Sequence, residues 1–222
     1  MKIDAVIFDL DGVLLDTEYH QWKGWNHAFK HFELDIELTK SQYLKYAGKR
    51  GDVIESELMN DFNLDIREGA LVNAKEEELL RWFREESLEP MHFVHEAIDF
   101  VESNPRLKIG LASGGPRPEV ILKLRRAGLE KYFPVFITGS DVDVGKPNPE
   151  IYRNICAELN VDPSNALSFE DTQYGLWAAK DAGMYCLAIP TEYSDKQDFS
   201  RADEQFSNLE EAINWLSSVI SE

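Results

Sequence analysis

Five short apolar runs, each followed by a helical pattern, limit what this chain can fold into. The runs are Ile3-Asp4-Ala5-Val6-Ile7-Phe8, Leu107-Lys108-Ile109-Gly110-Leu111-Ala112, Val135-Phe136-Ile137-Thr138, Ala166-Leu167-Ser168-Phe169 and Tyr185-Cys186-Leu187-Ala188-Ile189. Short, nearly continuous apolar runs describe strands covered on both faces, which is the condition of a parallel sheet. Between them fall helical spacings. Val120, Ile121, Leu124 and Ala127 are closed by Gly128, Ile151 is followed by Ile155 and Leu159, and residues 172–182 run up to Gly183. Leu209, Ala212, Ile213 and Leu216 suggest a closing helix. The expected class is α/β, a doubly wound parallel sheet with helices on both faces.

One stretch breaks the alternation. Residues 18–87 hold no strand pattern, only helix-like segments, clearest at 22–32 and 76–83. The expectation is a helical cap domain at 18–87, inserted into an α/β core made of 1–17 and 88–222. A long crossover lying on the sheet is the alternative.

Charge narrows the function. The 222 residues are 43% hydrophobic and carry a formal net charge of -18, the opposite of what a phosphate-backbone binder needs. No nucleic-acid partner is expected, and any anion site must be made locally positive. No uninterrupted apolar segment has membrane-span length and the first residues lack a signal-peptide core, so a cytoplasmic protein with no membrane role is expected. The two cysteines, Cys156 and Cys186, sit in apolar surroundings and read as reduced packing residues.

Four places just past strand ends carry candidate chemistry, and that edge is where open parallel sheets bind ligands. The first is Asp9-Leu10-Asp11-Gly12. Two carboxylates one residue apart can serve as nucleophile and proton carrier, or simply open an Asp-Gly turn. The second is Ser113 with Gly114 and Gly115, a hydroxyl and backbone N–H groups able to hold phosphoryl oxygens, or an ordinary helix cap. The third is Lys146, fixed between Gly145 and Pro147, able to neutralise a phosphoryl group, or a surface lysine before a helix. The fourth is Glu170-Asp171-Thr172, which can complete a hard-oxygen metal site with Asp9, or place Asp171 as a helix cap. The His27/His31 pair lacks a zinc-binding context and reads as solvated or packed.

Taken together the four resemble the ordered motifs of the haloacid dehalogenase superfamily: FDLDGVLLDT, LASGG, GKPNPEIY and FEDTQYG, across nearly the whole chain. The resemblance implies Asp9 as nucleophile, Asp11 as general acid/base, and Ser113, Gly114 and Lys146 as phosphoryl binders. It implies Mg²⁺ held by Asp9, the backbone carbonyl of Asp11, and Asp171, with Glu170 close by. Within the superfamily the chain is most similar to β-phosphoglucomutase-like proteins and small sugar-phosphate phosphatases, so the expected partner is a small phosphorylated metabolite. Mutases of this group carry a His where Gln21 stands here, with His20 adjacent, and continue after Ser113 with Ser and Lys where this chain has Gly114-Gly115-Pro116-Arg117. A Mg²⁺-dependent phosphatase is therefore expected, with a hexose-phosphate mutase as the alternative and a non-catalytic binding protein behind both. His20, Arg50 and Arg117 are further candidates for substrate contact.

Overall fold

Strand β1 (Ala5–Phe8) shows why the sheet forms where it does. All four residues are buried, and their side chains divide by the two-residue period of a strand. Val6 and Phe8 enter one apolar cluster and Ala5 and Ile7 another. A strand with two apolar faces needs helices on both. In the computed structural model, which describes residues 2–220, it has them.

The strands β2 (Lys108–Ser113), β3 (Phe136–Thr138), β4 (Ala166–Glu170), β5 (Tyr185–Ala188) and β6 (Glu204–Gln205) join β1 in one sheet of order β3-β2-β1-β4-β5-β6. Every pairing is parallel. On the Val6/Phe8 face lie α5 (Val94–Ser103), α6 (Arg117–Arg126) and α9 (Leu209–Ile220), through Ile98, Val120, Leu124 and Leu216. On the other face lie α7 (Glu150–Glu158) and α8 (Gln173–Ala182), through Ile151, Ile155, Leu176 and Ala179. The doubly wound α/β class holds. Strand β6 is an addition: two exposed polar residues pairing with β5 carry no apolar run by which sequence could announce them.

β1 sits between β2 and β4, so the chain winds away from it in both directions. This is the switch point at which the carboxyl ends of neighbouring strands open a crevice. Asp9, Ser113 and Glu170 stand at those three ends.

The helix-only stretch contains α1 (Glu18–His31), α2 (Lys40–Tyr43), α3 (Gly51–Asp61) and α4 (Ala70–Glu85). Trp25, Phe29, Tyr43, Ile54, Leu58 and Leu71 make a third apolar cluster separate from the sheet's, joined by Tyr193 from the loop after β5. The last turns of α4 behave differently, because Leu79 and Phe83 join the Val6/Phe8 cluster. This stretch is thus self-packed at one end and packed into the sheet's own cluster at the other. Both cysteines are buried and unpaired, Cys156 Sγ lying 3.9 Å from Met184 Sδ.

Candidate active site

Lys146 organises the floor of the crevice. Only 8% of its side chain is exposed, so the surface-lysine alternative fails. Its ammonium has three protons and finds three acceptors: Asp9 Oδ1 at 2.8 Å, Glu170 Oε1 at 2.6 Å and the carbonyl oxygen of Ala112 at 3.1 Å. Tyr152 also donates its hydroxyl to Glu170 Oε1. Burial disfavours the charged lysine, but the adjacent Asp9 and Glu170 outweigh it and hold the ammonium well above its ordinary range.

Acids outnumber that cation. Asp9, Glu170 and Asp171 are all buried, and each offers a carboxylate oxygen within 4.8 Å of the others. Three carboxylates beside one ammonium leave an excess of two negative charges when all are ionised. The strain shows in the acidities. Burial pushes Asp9 up to about 8, with Lys146 pulling down and Glu170 pushing further up. Burial, then Asp9 and Glu170, raise Asp171 well above the carboxylate range. Buried oxygen donors with uncompensated charge fit a hard divalent cation. Gly12 adds a steric reason: it takes φ +82°, and a Cβ there would collide with the Asp171 carboxylate. Asp171 does not cap α8; Thr172 does, accepting the Gly175 N–H at 3.3 Å.

Asp11 lives in a different environment although it is two residues away. Its side chain stands outside the acid cluster, so any share it has in holding a cation falls to its backbone carbonyl. Oδ1 accepts from Lys123 Nζ at 2.6 Å and from the Thr17 hydroxyl. Burial opposes ionisation, but Lys123 and Thr17 overcome it and hold Asp11 below the usual range. Lys123 in turn pairs with Glu119 Oε1 at 2.5 Å, and Gln21 Nε2 donates to that same oxygen at 2.9 Å.

Ser113 is fully buried and its hydroxyl accepts the Gly115 N–H at 3.2 Å. It is not a helix cap, since α6 begins at Arg117 after Pro116. Gly114 and Gly115 line the cavity itself, with nothing within 4 Å of a Cβ built on Gly114.

The cavity above these groups measures about 310 Å³. Asp9, Asp11, Lys146 and Asp171 line it from the sheet side, and Glu18, Gln21, Tyr43, Arg50, Lys75 and Glu76 from the insert. Burial pushes Glu18 up to about 7, against the hydrogen bond from Tyr43 Oη at 2.8 Å. Arg50 reaches the cavity but its guanidinium is engaged by Asp52 and by the carbonyl oxygen of Asp143 at 3.2 Å.

Two candidates lie elsewhere. His20 turns away from the cavity, packing on Phe83 and Trp82 and bonding Glu86 Oε2 at 2.9 Å. Residues 20 and 21 project about 100° apart on α1, and here Gln21 takes the cavity side while His20 packs against α4. Arg117 also misses the cavity, pairing with Asp141 at 2.8 Å over the ring of Phe136. The residue that sequence patterning hides is Lys123, enclosed in the apolar run Val120-Ile121-Leu122-Lys123-Leu124. Its signal is a lysine on the buried side of an amphipathic helix, four residues after Glu119.

Residues 6–189 match the family described as haloacid dehalogenase-like hydrolase. The chain belongs to that family. A phosphorylated carbohydrates phosphatase of Thermotoga maritima is 38% identical over 188 residues, 82% of each chain. A β-phosphoglucomutase of Bacillus subtilis is 29% identical, covering 83% of this chain and 82% of its own. The structure of CbbY from Rhodobacter sphaeroides in complex with phosphate superposes with a TM-score of 0.83 at 25% identity, over 93% of this chain and 94% of that one. Among the described residues no helix is long and apolar enough to cross a membrane.

Proposed function

We propose that this hydrolase is a Mg²⁺-dependent phosphatase of small phosphorylated sugars, working through an aspartyl phosphate on Asp9, with residues 18–87 as a cap over an α/β core. The observation that carries it is Lys146 bridging Asp9 and Glu170 beside Asp171, at the floor of a cavity roofed by the insert. The names of relatives support the substrate class, among them a fructose-1-phosphate phosphatase of Escherichia coli, 28% identical over 83% of this chain.

Asp9, Asp171 and Glu170, with the backbone carbonyl of Asp11, would hold the cation. A bound Mg²⁺ supplies the positive charge that keeps Asp9 ionised and offsets the charge of the phosphoryl oxygens. Asp9 attacks phosphorus, the ester P–O bond breaks, and the sugar oxygen leaves. Lys146 and the N–H group of Gly114 steady the phosphoryl oxygens. Water then attacks the phosphorus of the aspartyl phosphate, gives up a proton to Asp11, and restores Asp9 as inorganic phosphate departs. Lys123 keeps Asp11 ionised, which suits this second half. In the first half Asp11 must enter protonated and turned off Lys123 to give its proton to the leaving sugar oxygen, and the proton taken from water in the second half replaces it.

The mutase alternative needs a catalytic His at the cavity. Gln21 occupies that place, and His20 is held away from it by Glu86 and Phe83. Incubation with β-glucose 1-phosphate and a trace of the 1,6-bisphosphate, followed by phosphorus NMR, is expected to yield inorganic phosphate in Mg²⁺ and nothing in EDTA. Build-up of glucose 6-phosphate without phosphate would reverse the choice, and turnover unchanged in EDTA would remove the metal.

A further inference from the structure

The Asp11 side of the cavity contains a group that phosphoryl chemistry does not use. Glu119 is 1% exposed yet lines the cavity. Oε1 is fully engaged by Lys123 and Gln21. Oε2 is buried and has no hydrogen-bond partner. An ionised oxygen buried without a donor is costly, and folded proteins leave few of them. Among the buried side-chain atoms without partners in the described residues, this oxygen and Glu170 Oε2 are the two that belong to carboxylates. Glu170 belongs to the acid cluster; Glu119 does not.

Its position indicates what it would meet. Lys123 bridges Asp11 at 2.6 Å and Glu119 at 2.5 Å, so Glu119 is one ammonium away from the proton carrier. Glu119 hydrogen-bonds neither Lys146 nor Asp9 and shares its wall with Gln21, so the organic part of a bound monoester is what it would meet. Asp11, Glu119 and Glu76 against Lys123 and Lys75, three carboxylates to two ammoniums, leave this side of the cavity net negative when all are ionised. Such a wall repels a second phosphate and accepts a hydroxyl donor.

We infer that Glu119 is a specificity-determining residue that accepts a hydrogen bond from a hydroxyl of the substrate's carbon skeleton, so that the enzyme prefers polyhydroxylated monophosphates over apolar or bisphosphorylated ones. The inference rests on the phosphatase reading above. Gln21 and Lys123 position the carboxylate, and the substrate hydroxyl supplies the missing donor. A site built around a buried acceptor rejects the analogue that lacks the donor, because the acceptor is then left unpaired.

The test compares wild type with Glu119→Gln on sorbitol 6-phosphate and on n-hexyl phosphate, which has the same carbon count and no hydroxyls. In Mg²⁺ the wild-type kcat/KM is expected to favour sorbitol 6-phosphate by about 100-fold. Glu119→Gln should reduce that ratio at least tenfold, mostly through KM for the polyol. The ratio does not depend on how much of the variant is folded. An equal loss on both substrates would mean that Glu119 acts only through Lys123 on Asp11, and would overturn the inference. An unchanged ratio would overturn it as well. If neither ester is hydrolysed, the phosphatase reading falls separately. Calorimetric binding of the same two compounds then decides the role of Glu119 by the same ratio.

Discussion

Asp9 and Asp11 are separated by one residue and end in opposite electrostatic settings. Around Asp9 three buried carboxylates share one lysine, and its acidity is pushed up to about 8. Around Asp11 a buried lysine and a hydroxyl hold the carboxylate low. A strand alternates its side chains, but both of these residues lie past the end of β1, where the turn at Gly12 sends them to different walls. The difference teaches that the Asp9 carboxylate stays undercompensated until a cation or substrate arrives, whereas the Asp11 carboxylate already has its cation within the protein. The first is expected to be functional at the expense of stability, and the second to contribute to both.

The largest effect should come from the Asp9 wall. Asp9→Asn keeps the shape and removes the nucleophile, so kcat should fall by ~3 orders of magnitude or more. Because ionised Asp9 is disfavoured where it sits, the metal-free variant should melt no lower than wild type. A kcat within tenfold of wild type, at an unchanged circular dichroism spectrum, contradicts the assignment.

The Asp11 wall should respond in the reverse way. Lys123→Met leaves two buried carboxylates facing each other, a change expected to cost about 3–5 kcal/mol of stability. Urea unfolding would measure it. A loss below about 1 kcal/mol would show that the pair is already solvated and that the two walls are not so different.

Glu18 gives the comparison a pH axis. Its carboxyl is raised from 4.5 to about 7, so the native state favours the protonated form. Stability is therefore lost as pH rises between about 4.5 and 7, where the unfolded chain has released the proton and the native one has not. Glu18→Gln should melt like wild type near pH 4 and be more stable above pH 8 by on the order of 2 kcal/mol. Parallel melting curves across that range would contradict it.

The smallest effect belongs to Arg117. Paired with Asp141 outside the cavity, it has no substrate to touch, and Arg117→Ala should leave kcat/KM within about twofold. A tenfold rise in KM would mean that the helix start at Pro116 moves toward the cavity when substrate binds.

Much of this molecule is written in local pattern. Strands covered on both faces need continuous apolar residues, and Val6, Ile7 and Phe8 announce β1 without any tertiary information. Asp9 and Glu170-Asp171 are legible because each stands at a strand end, where side chains converge whatever the details of packing, and Lys146, eight residues beyond β3, is legible from its Gly145 and Pro147 flanks. Helix α5 carries Val94, Ala97, Ile98 and Val101 at helical spacing, so it too is legible in retrospect, and β6 is not, since two exposed residues have no pattern.

What the tertiary structure alone decided is which polar groups meet across the crevice. His20 and Gln21 are equally polar neighbours in the chain, and only the rotation of α1 against α4 chooses Gln21 for the cavity. Lys123 stands in an apolar run where a lysine has no local partner except Glu119, and its pairing with Asp11 spans 112 residues. Local pattern depends on neighbours a few residues apart. A buried charge depends on whichever opposite charge the packing brings within hydrogen-bonding distance, and that distance exists only after the sheet and its insert have closed on each other.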